Sequence, residues 1–340
     1  MDLPYATVAV KAILPAVLYF TGIFISVHLE AKKLGLKGLS KDEMPKWADL
    51  GKKIYLLAPL VLLVWLVSSG AKTMQFSAAV SILAAVIVGF LNKDERLTFK
   101  KIFEALEAGA KGAITVAVAC AIAGMIAGCI TVTGLASILI NAIVQLAGSA
   151  TFIGLILTMV CCIVLGMGVP TTANYCIMAS TCAPILIKMG FPLVAAHFFV
   201  FYFGIVADIT PPVALAAYAG SAIAKGNPMK TGINATKLAI AAFIVPYIFA
   251  YSPAMLFVNV TSVWEVIQIV LSALLGIFGV AAGLEGFVLR KMNWLYRIVC
   301  LVGGLGLMIP GAISDLVGLV LIGGVFVIQY LQNKKEREIA

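Results

Sequence analysis

The sequence predicts an all-α membrane protein with several spans, one re-entrant hairpin and one broken helix. Of its 340 residues, 62% are hydrophobic and only 11% are charged, whereas about 25% of a soluble domain is charged. Apolar stretches of spanning length recur along the chain. Two further apolar stretches, lying one after the other, are interrupted by glycine, proline and hydroxyl residues. These observations exclude a soluble globular domain.

Continuous apolar stretches predict the transmembrane helices. A span needs roughly 20 apolar residues to cross about 30 Å of hydrocarbon. Such stretches lie at residues 5–29, 54–69, 76–91, 113–132, 238–258, 264–284, 298–308 and 312–331. The stretch at 298–308 is the shortest and is soon followed by Pro310 and Gly311, so it is the weakest of these predictions.

The stretch at 135–147 predicts a helix that lies in the membrane interface. It has only 13 residues, and its polar residues Ser137, Asn141 and Gln145 recur every four positions. This spacing gives a polar stripe on one side of a helix and aliphatic side chains on the other. We therefore expect an interfacial arm and not a span.

The basic residues predict the orientation of the chain. If the loop at 32–53 is cytoplasmic and 135–147 does not cross, 21 of the 24 Lys and Arg residues lie on the inner side. Only Lys11, Lys72 and Lys188 lie outside, as the positive-inside rule requires. The net charge of +9 therefore indicates membrane orientation and not nucleic-acid binding. The interrupted stretch at 152–187 must then enter and leave from the outer side.

The cysteines and histidines do not form a metal site in the sequence. All seven cysteines lie inside apolar stretches, and the histidines are His28 and His197. Cysteine in such surroundings is usually a small packing residue. The first residues also lack the basic region and cleavage site of a signal peptide.

The stretch at 152–187 predicts a re-entrant hairpin. Its halves of about 14 or 15 residues would extend roughly 21–23 Å as helices, too short for either to cross alone. The tip would contain Gly166, Gly168 and Pro170, which allow a turn and begin a helix. Thr171, Thr172 and Asn174 follow, beside a helix N-terminus that favours an anion. The alternative is a kink in one long helix.

The stretch at 191–224 predicts a broken helix. Its 34 residues would extend about 51 Å, too long for one straight span. Pro211 and Pro212 lack N–H groups and push the preceding residues out of the α region. Freed carbonyls around 207–210, the Thr210 hydroxyl and the Asp208 carboxylate are candidate ligands for a hard cation. Alternatively, Asp208 pairs with a nearby donor for structure only.

Several motifs resemble the permeases of tripartite ATP-independent periplasmic (TRAP) transporters. Leu-Gly-Met-Gly-Val-Pro-Thr-Thr-Ala-Asn at 165–174 resembles their hairpin signature. Ala-His-Phe-Phe-Val-Phe-Tyr-Phe-Gly at 196–204 and Ile-Thr-Pro-Pro-Val-Ala-Leu-Ala at 209–216 are similar to the fused, TAXI-type subfamily. Residues 5–39 resemble the segment that joins the two repeats. The resemblance covers roughly residues 1–258 and concerns the C-terminal part of the large membrane component.

The resemblance implies a multi-pass permease of the cell inner membrane and no enzymatic activity. It implies one repeat of an inverted-repeat, elevator-type fold that imports a small organic acid with a sodium gradient. An extracytoplasmic solute-binding protein and a small membrane component would be its partners. Sodium would be the coupling ion, and no other cofactor is expected.

Carried over by position, the resemblance implies a site at the hairpin tip and the helix break. The sodium ligands would be Gly166, Thr171, Thr172, Asp208 and Thr210. The whole ion and substrate site would comprise Gly166, Gly168, Pro170, Thr171, Thr172, Asn174, Asp208, Thr210, Pro211 and Pro212.

The same reading divides the chain into seven segments. They are the end of a preceding repeat (1–31), a cytoplasmic loop (32–53), scaffold helices (54–134), the interfacial arm (135–147), a transport region (148–232), a further span (233–258), and extra C-terminal helices with a basic tail (259–340).

The chain departs from the family pattern in showing one hairpin and one broken helix where the family has two of each. We therefore expect a missing N-terminal permease half on another polypeptide, or a truncated, non-transporting remnant. A different class of function also stays open at this point, namely an intramembrane enzyme using Asp208 and His197 as an acid–base pair.

Overall fold

The computed structural model describes residues 3–38, 40, 44, 47–70, 72–92, 96–148 and 150–339. Within these ranges the chain is all-α and contains no β-strand beyond one isolated bridge. The helices in chain order are α1 (Tyr5–Lys33), α2 (Trp47–Lys52), α3 (Ala58–Ser69), α4 (Met74–Leu91), α5 (Phe99–Thr133), α6 (Leu135–Ala147), α7 (Thr151–Gly166), α8 (Thr171–Thr181), α9 (Ala183–Lys188), α10 (Leu193–Val206), α11 (Leu215–Ile223), α12 (Pro228–Leu238), α13 (Ile240–Tyr251), α14 (Val263–Glu285), α15 (Trp294–Gly306) and α16 (Ala312–Ile339).

Six helical segments among the described residues are long and apolar enough to cross a membrane. They are Tyr5–Lys33, Met74–Leu91, Phe99–Ile130, Pro228–Tyr251, Val263–Glu285 and Ala312–Lys334. This confirms the prediction of an all-α polytopic membrane protein. The stretch predicted at 135–147 forms α6 with the expected bounds, and the predicted span at 298–308 overlaps the 13-residue helix α15, which ends at Gly306.

The described residues fall into two units. One comprises residues 3–10 with the described part of 37–118, and the other comprises 11–36 with the described part of 119–340. In the first unit α3 packs against α4. The N-terminus of α4 is capped by Thr73, whose hydroxyl accepts a hydrogen bond from the Phe76 N–H at 3.3 Å.

In the second unit, α10 is the central helix. It packs against α7, α8, α9 and α13. Phe199 and Phe203, both fully buried, have ring centroids 4.8 Å apart. Both rings also contact Tyr247 of α13, at 5.5 and 6.0 Å. These aromatic contacts fix the position of the helix that precedes the break.

The helices α14, α15 and α16 pack through glycines. A Cβ on Gly276 would lie 2.8 Å from the Gly304 carbonyl oxygen, and a Cβ on Gly303 would lie 3.3 Å from the Gly318 carbonyl oxygen. Such backbone approach is the usual means of helix association in lipid, where burial of apolar surface drives little. The C-terminal helices therefore form a closely packed module.

Polar contacts join segments that the charge pattern assigns to the same side of the membrane. On the predicted outer side, Lys11 Nζ donates to the carbonyl oxygens of Leu256 and Phe257 at 3.1 and 3.0 Å. Also on that side, Lys188 Nζ donates to Asn141 Oδ1 of α6 at 2.7 Å. Carbonyls at a helix end are well satisfied by a lysine.

A first prediction concerns Gly22, where α1 contacts α13 and α14. A Cβ at this position would clash with Ala241 and lie 2.9 Å from Ile277 Cγ2. We expect Gly22→Ala to lower the free energy of unfolding by about 1–3 kcal/mol, because these helices must then separate. Thermal unfolding of the purified protein in detergent would measure the effect.

The matched control is Gly124→Ala in α5, where a Cβ would meet nothing within 4 Å. Alanine has the higher helix propensity, so this variant should unfold at the wild-type temperature or slightly above. Equal unfolding temperatures of the two variants would contradict the close packing at Gly22.

Candidate functional site

The interrupted stretch at 152–187 reverses direction at its glycine–proline tip. Cys161 Sγ of the first arm lies 3.7 Å from Cys182 Sγ of the second. Gly154, earlier in the first arm, contacts Met189 beyond the end of the second. An earlier residue of the first arm therefore contacts a later residue of the second arm. The arms are antiparallel, so the stretch is not a single kinked helix.

The tip residues explain this reversal. Gly168 has φ +74°, in the left-handed region that glycine adopts without strain. Pro170 has φ −55° and ψ 143° and directly precedes α8 as its N-cap residue. It therefore stands just before the helix, where the residue needs no helical N–H. Gly168, Pro170, Thr171 and Thr172 are all exposed.

The second stretch breaks where the prolines predict. The helix α10 ends at Val206, a 3₁₀ turn covers Ala207–Ile209, and Thr210 is extended. Helix resumes only at Leu215. Pro211 and Pro212 cannot donate to the helical hydrogen-bond ladder, so the backbone leaves the α conformation here.

The structure brings the hairpin tip and the helix break into contact through Asn174. Its Nδ2 donates to the Gly204 carbonyl oxygen of α10 at 3.0 Å. A Cβ on Gly166 would lie 2.9 Å from this Nδ2 and 3.0 Å from Ala207 Cβ. At the tip itself, a Cβ on Gly168 would be 3.9 Å from Val213 Cγ1. Glycine at 166 thus permits the close approach of hairpin and break.

The side-chain oxygen of Asn174 is left without a hydrogen-bond partner. Asn174 is 2% exposed, and its Oδ1 is buried with no hydrogen bond from the described residues. An unsatisfied buried polar atom costs about 1–3 kcal/mol. A cation or a donor would satisfy this oxygen.

Some oxygen atoms at the helix break already accept hydrogen bonds, whereas others are available to a ligand. The Ile209 carbonyl accepts from Thr236 Oγ1 at 3.0 Å, and the Pro212 carbonyl accepts from Tyr218 OH at 2.7 Å. Thr210 Oγ1 donates to the Val206 carbonyl at 2.7 Å and keeps its lone pairs free. Asp208 is half-buried, and its carboxylate has no hydrogen bond or ion pair among the described residues. The available side-chain oxygens of the break are therefore those of Asp208 and Thr210.

Some residues at the site were found by the structure alone. Thr236 and Tyr218 satisfy carbonyls of the break, although each lies on a later helix and in no recognisable motif. In contrast, the hydroxyls of Thr171 and Thr172 form no hydrogen bond with Asp208 or Thr210. Thr171 lies beside Asn174 and Gly204 in a narrow cleft between α8 and α10.

His197 lies away from the break. Its Nδ1 is 2.9 Å from Tyr175 OH of α8. It precedes Asp208 by eleven residues along α10 and the following turn, or about 16 Å of helix. These two residues are therefore not brought together as an acid–base pair.

A family model described as "Tripartite ATP-independent periplasmic transporter, DctM component" matches residues 1–264. The chain belongs to this family. It is accordingly part of a TRAP secondary transporter permease, a component of the inner membrane. The match includes the hairpin and the break but ends two residues into α14. Comparisons with curated proteins and with solved structures each found no match.

A prediction follows from the antiparallel arms of this TRAP hairpin. In a variant that keeps only Cys161 and Cys182 as cysteines, mild oxidation in the membrane should join the two thiols. Their Sγ atoms lie 3.7 Å apart, so little movement is needed. Peptide mapping by mass spectrometry before and after reduction would identify the bond.

The control keeps Cys161 with Cys176, which is exposed and lies earlier on α8. This pair should not join within one molecule. Efficient joining of the control pair, or none in the test pair, would contradict the observed register.

Proposed function

We propose that this TRAP permease component imports a small organic acid by coupling it to a sodium gradient, with sodium bound where the hairpin tip meets the helix break. The observation that carries the proposal is the buried, partnerless Asn174 Oδ1 beside the break. It marks a place where a cation or a hydrogen-bond donor is needed. Neutral packing would leave this oxygen unsatisfied.

The chemistry of the available oxygens suits sodium. A hard cation prefers carboxylate, hydroxyl and carbonyl oxygens. Asp208 would supply the negative charge, Thr210 a hydroxyl lone pair, and Asn174 an amide oxygen. The residues Gly166, Thr171 and Thr172, implied by the resemblance, would contribute oxygens from the tip. These oxygens are of the kind that sodium binds.

The acid would bind at the exposed side of the tip. Thr171 and Thr172 are the first two residues of α8, and both are exposed. A helix N-terminus favours a carboxylate through its free N–H groups and its dipole. Gly168 and Pro170, also exposed, would let the substrate approach the backbone closely.

The partners follow from the family and from the orientation predicted by charge. The family description names a tripartite, periplasmic transporter. We expect an extracytoplasmic solute-binding protein to deliver the acid to the outer side, from which the hairpin enters. A small membrane component would complete the complex. A second, inverted repeat would cover the tip, where Thr171 and Thr172 are exposed.

The test is uptake of organic acids into proteoliposomes that contain the complete complex and an imposed sodium gradient. Asp208→Asn and Thr210→Val should each raise the sodium concentration for half-maximal uptake by about tenfold or more. The reason is the loss of the carboxylate's negative charge in the first variant and of a hydroxyl ligand in the second, and a tenfold change is equivalent to about 1.4 kcal/mol.

Asp315→Asn is the matched control, because Asp315 lies in the first turn of α16 and outside the site. It should leave the sodium dependence unchanged. Uptake that follows a proton gradient and ignores sodium would contradict sodium coupling. Failure of the complete complex to transport any organic acid would contradict the substrate class.

A further inference from the structure

The helix α12 lies against the helix break. Thr236 Oγ1 of α12 donates to the Ile209 carbonyl oxygen at 3.0 Å. Gly232, which lies one turn earlier, is buried, and a Cβ at this position would be 3.1 Å from Pro211 Cγ. The backbone of the break is therefore held by a hydrogen bond and by close packing from α12, and a shift of α12 would disturb both.

The residue that follows Thr236 joins α12 to the C-terminal module. Lys237 Nζ lies 2.6 Å from Oε2 of Glu285, the last residue of α14. The family match ends at residue 264, so α12 lies inside the matched region and Glu285 lies outside it. Two successive side chains of α12 thus contact the break and the C-terminal module.

Glu285 carries a buried charge that needs a partner. Its side chain is only 1% exposed, whereas that of Lys237 is 30% exposed. A carboxylate is stable in such a place only if a cation compensates its charge. Lys33 of α1 also approaches Oε2, at 3.9 Å, but it lies closer to Glu30, at 3.0 Å. Within the described part of the chain, Lys237 is therefore the nearest cation to Glu285.

The helix end that carries Glu285 is itself held by the C-terminal module. Arg297 of α15 donates from Nε to the Gly283 carbonyl oxygen and from Nη2 to that of Leu284, each at 2.9 Å. A Cβ on Gly283 would lie 2.8 Å from the Arg297 carbonyl oxygen, so the two backbones are in close contact. The Glu285 carboxylate is thus presented to α12 from a fixed position.

We propose that the Lys237–Glu285 ion pair positions the helix break, so that the C-terminal module controls how well the break binds its ion. The pair fixes the end of α12, and α12 holds the break through Thr236. Lys237 and Glu285 do not touch the ion or the solute. They are positioning residues that act through Asp208 and Thr210. The control of ion binding rests on the sodium site proposed above, whereas the positioning of the backbone does not.

The first test measures hydrogen–deuterium exchange in the purified full-length chain. Two amides are bonded within the break: Thr210 N–H donates to the Ala207 carbonyl at 3.3 Å, and Ala214 N–H to the Thr210 carbonyl at 3.2 Å. In Lys237→Met and in Glu285→Gln these amides should exchange about two- to thirtyfold faster than in wild type, because the break loses its support. Amides of the hairpin arm α7 should keep their wild-type rates.

The design separates the ion pair from other effects of the lysine. Lys237→Arg keeps a cation within reach of Glu285 and should retain wild-type exchange at the break. Lys230→Met removes an exposed lysine of the same helix, which has no ion pair among the described residues, and should also retain it. Glu285→Gln leaves Lys237 in place, so a change in this variant does not arise from the helix dipole or from membrane orientation. Because the two test variants remove opposite partners, one suffices if the other does not fold.

The second test is sodium-dependent uptake by the complete complex in proteoliposomes. Lys237→Met and Glu285→Gln should each raise the sodium concentration for half-maximal uptake by about two- to thirtyfold and leave the maximal rate unchanged. The double variant should show no larger effect than one single variant, because the two residues act as one unit. Lys237→Arg should restore the wild-type sodium dependence.

Unchanged exchange at the break in both single variants would overturn the proposal. Faster exchange that extends equally over the whole chain would also overturn it, because the pair would then only stabilise the fold. Effects on sodium dependence that add in the double variant would contradict action as a pair. Wild-type uptake that ignores sodium would contradict the sodium site and its control, and the exchange rates would still decide whether the pair positions the break.

Discussion

The structure depends on one constraint, namely that every polar group placed among apolar helices must find its partner within the protein. Lipid offers no hydrogen bonds, so a break in a membrane helix survives only if side chains take up the freed groups. Here Thr236 and Tyr218 satisfy carbonyls of the break, and Asn174 binds a carbonyl of α10. These three bonds allow a functional interruption to exist at this point.

Helices in lipid must also pack closely, and glycines let their backbones approach one another. Gly166 lets the hairpin reach the break, Gly22 lets α1 meet α13 and α14, and Gly276 brings α14 against α15. Small residues serve the same purpose in each place, because packing in lipid rests on contact and not on the exclusion of water.

Buried polar atoms that lack a hydrogen-bond partner are therefore informative. Among the described residues, the buried side-chain atoms without a partner are Ser26 Oγ, Asn174 Oδ1 and Glu285 Oε1. Asn174 Oδ1 lies beside the helix break, where the sodium site is proposed.

The sequence by itself determined the class, the helical stretches and the two interruptions, because composition, run length and proline chemistry are local properties. It also named Asn174, Asp208 and Thr210. The tertiary structure alone decided that the arms are antiparallel, that Asn174 reaches Gly204, and that the Ile209 carbonyl is already bonded to Thr236. It alone revealed the ion pair between Lys237 and the buried Glu285, at 2.6 Å. These features join residues 21 to 48 positions apart, and no local pattern specifies which distant partner a buried polar group will find.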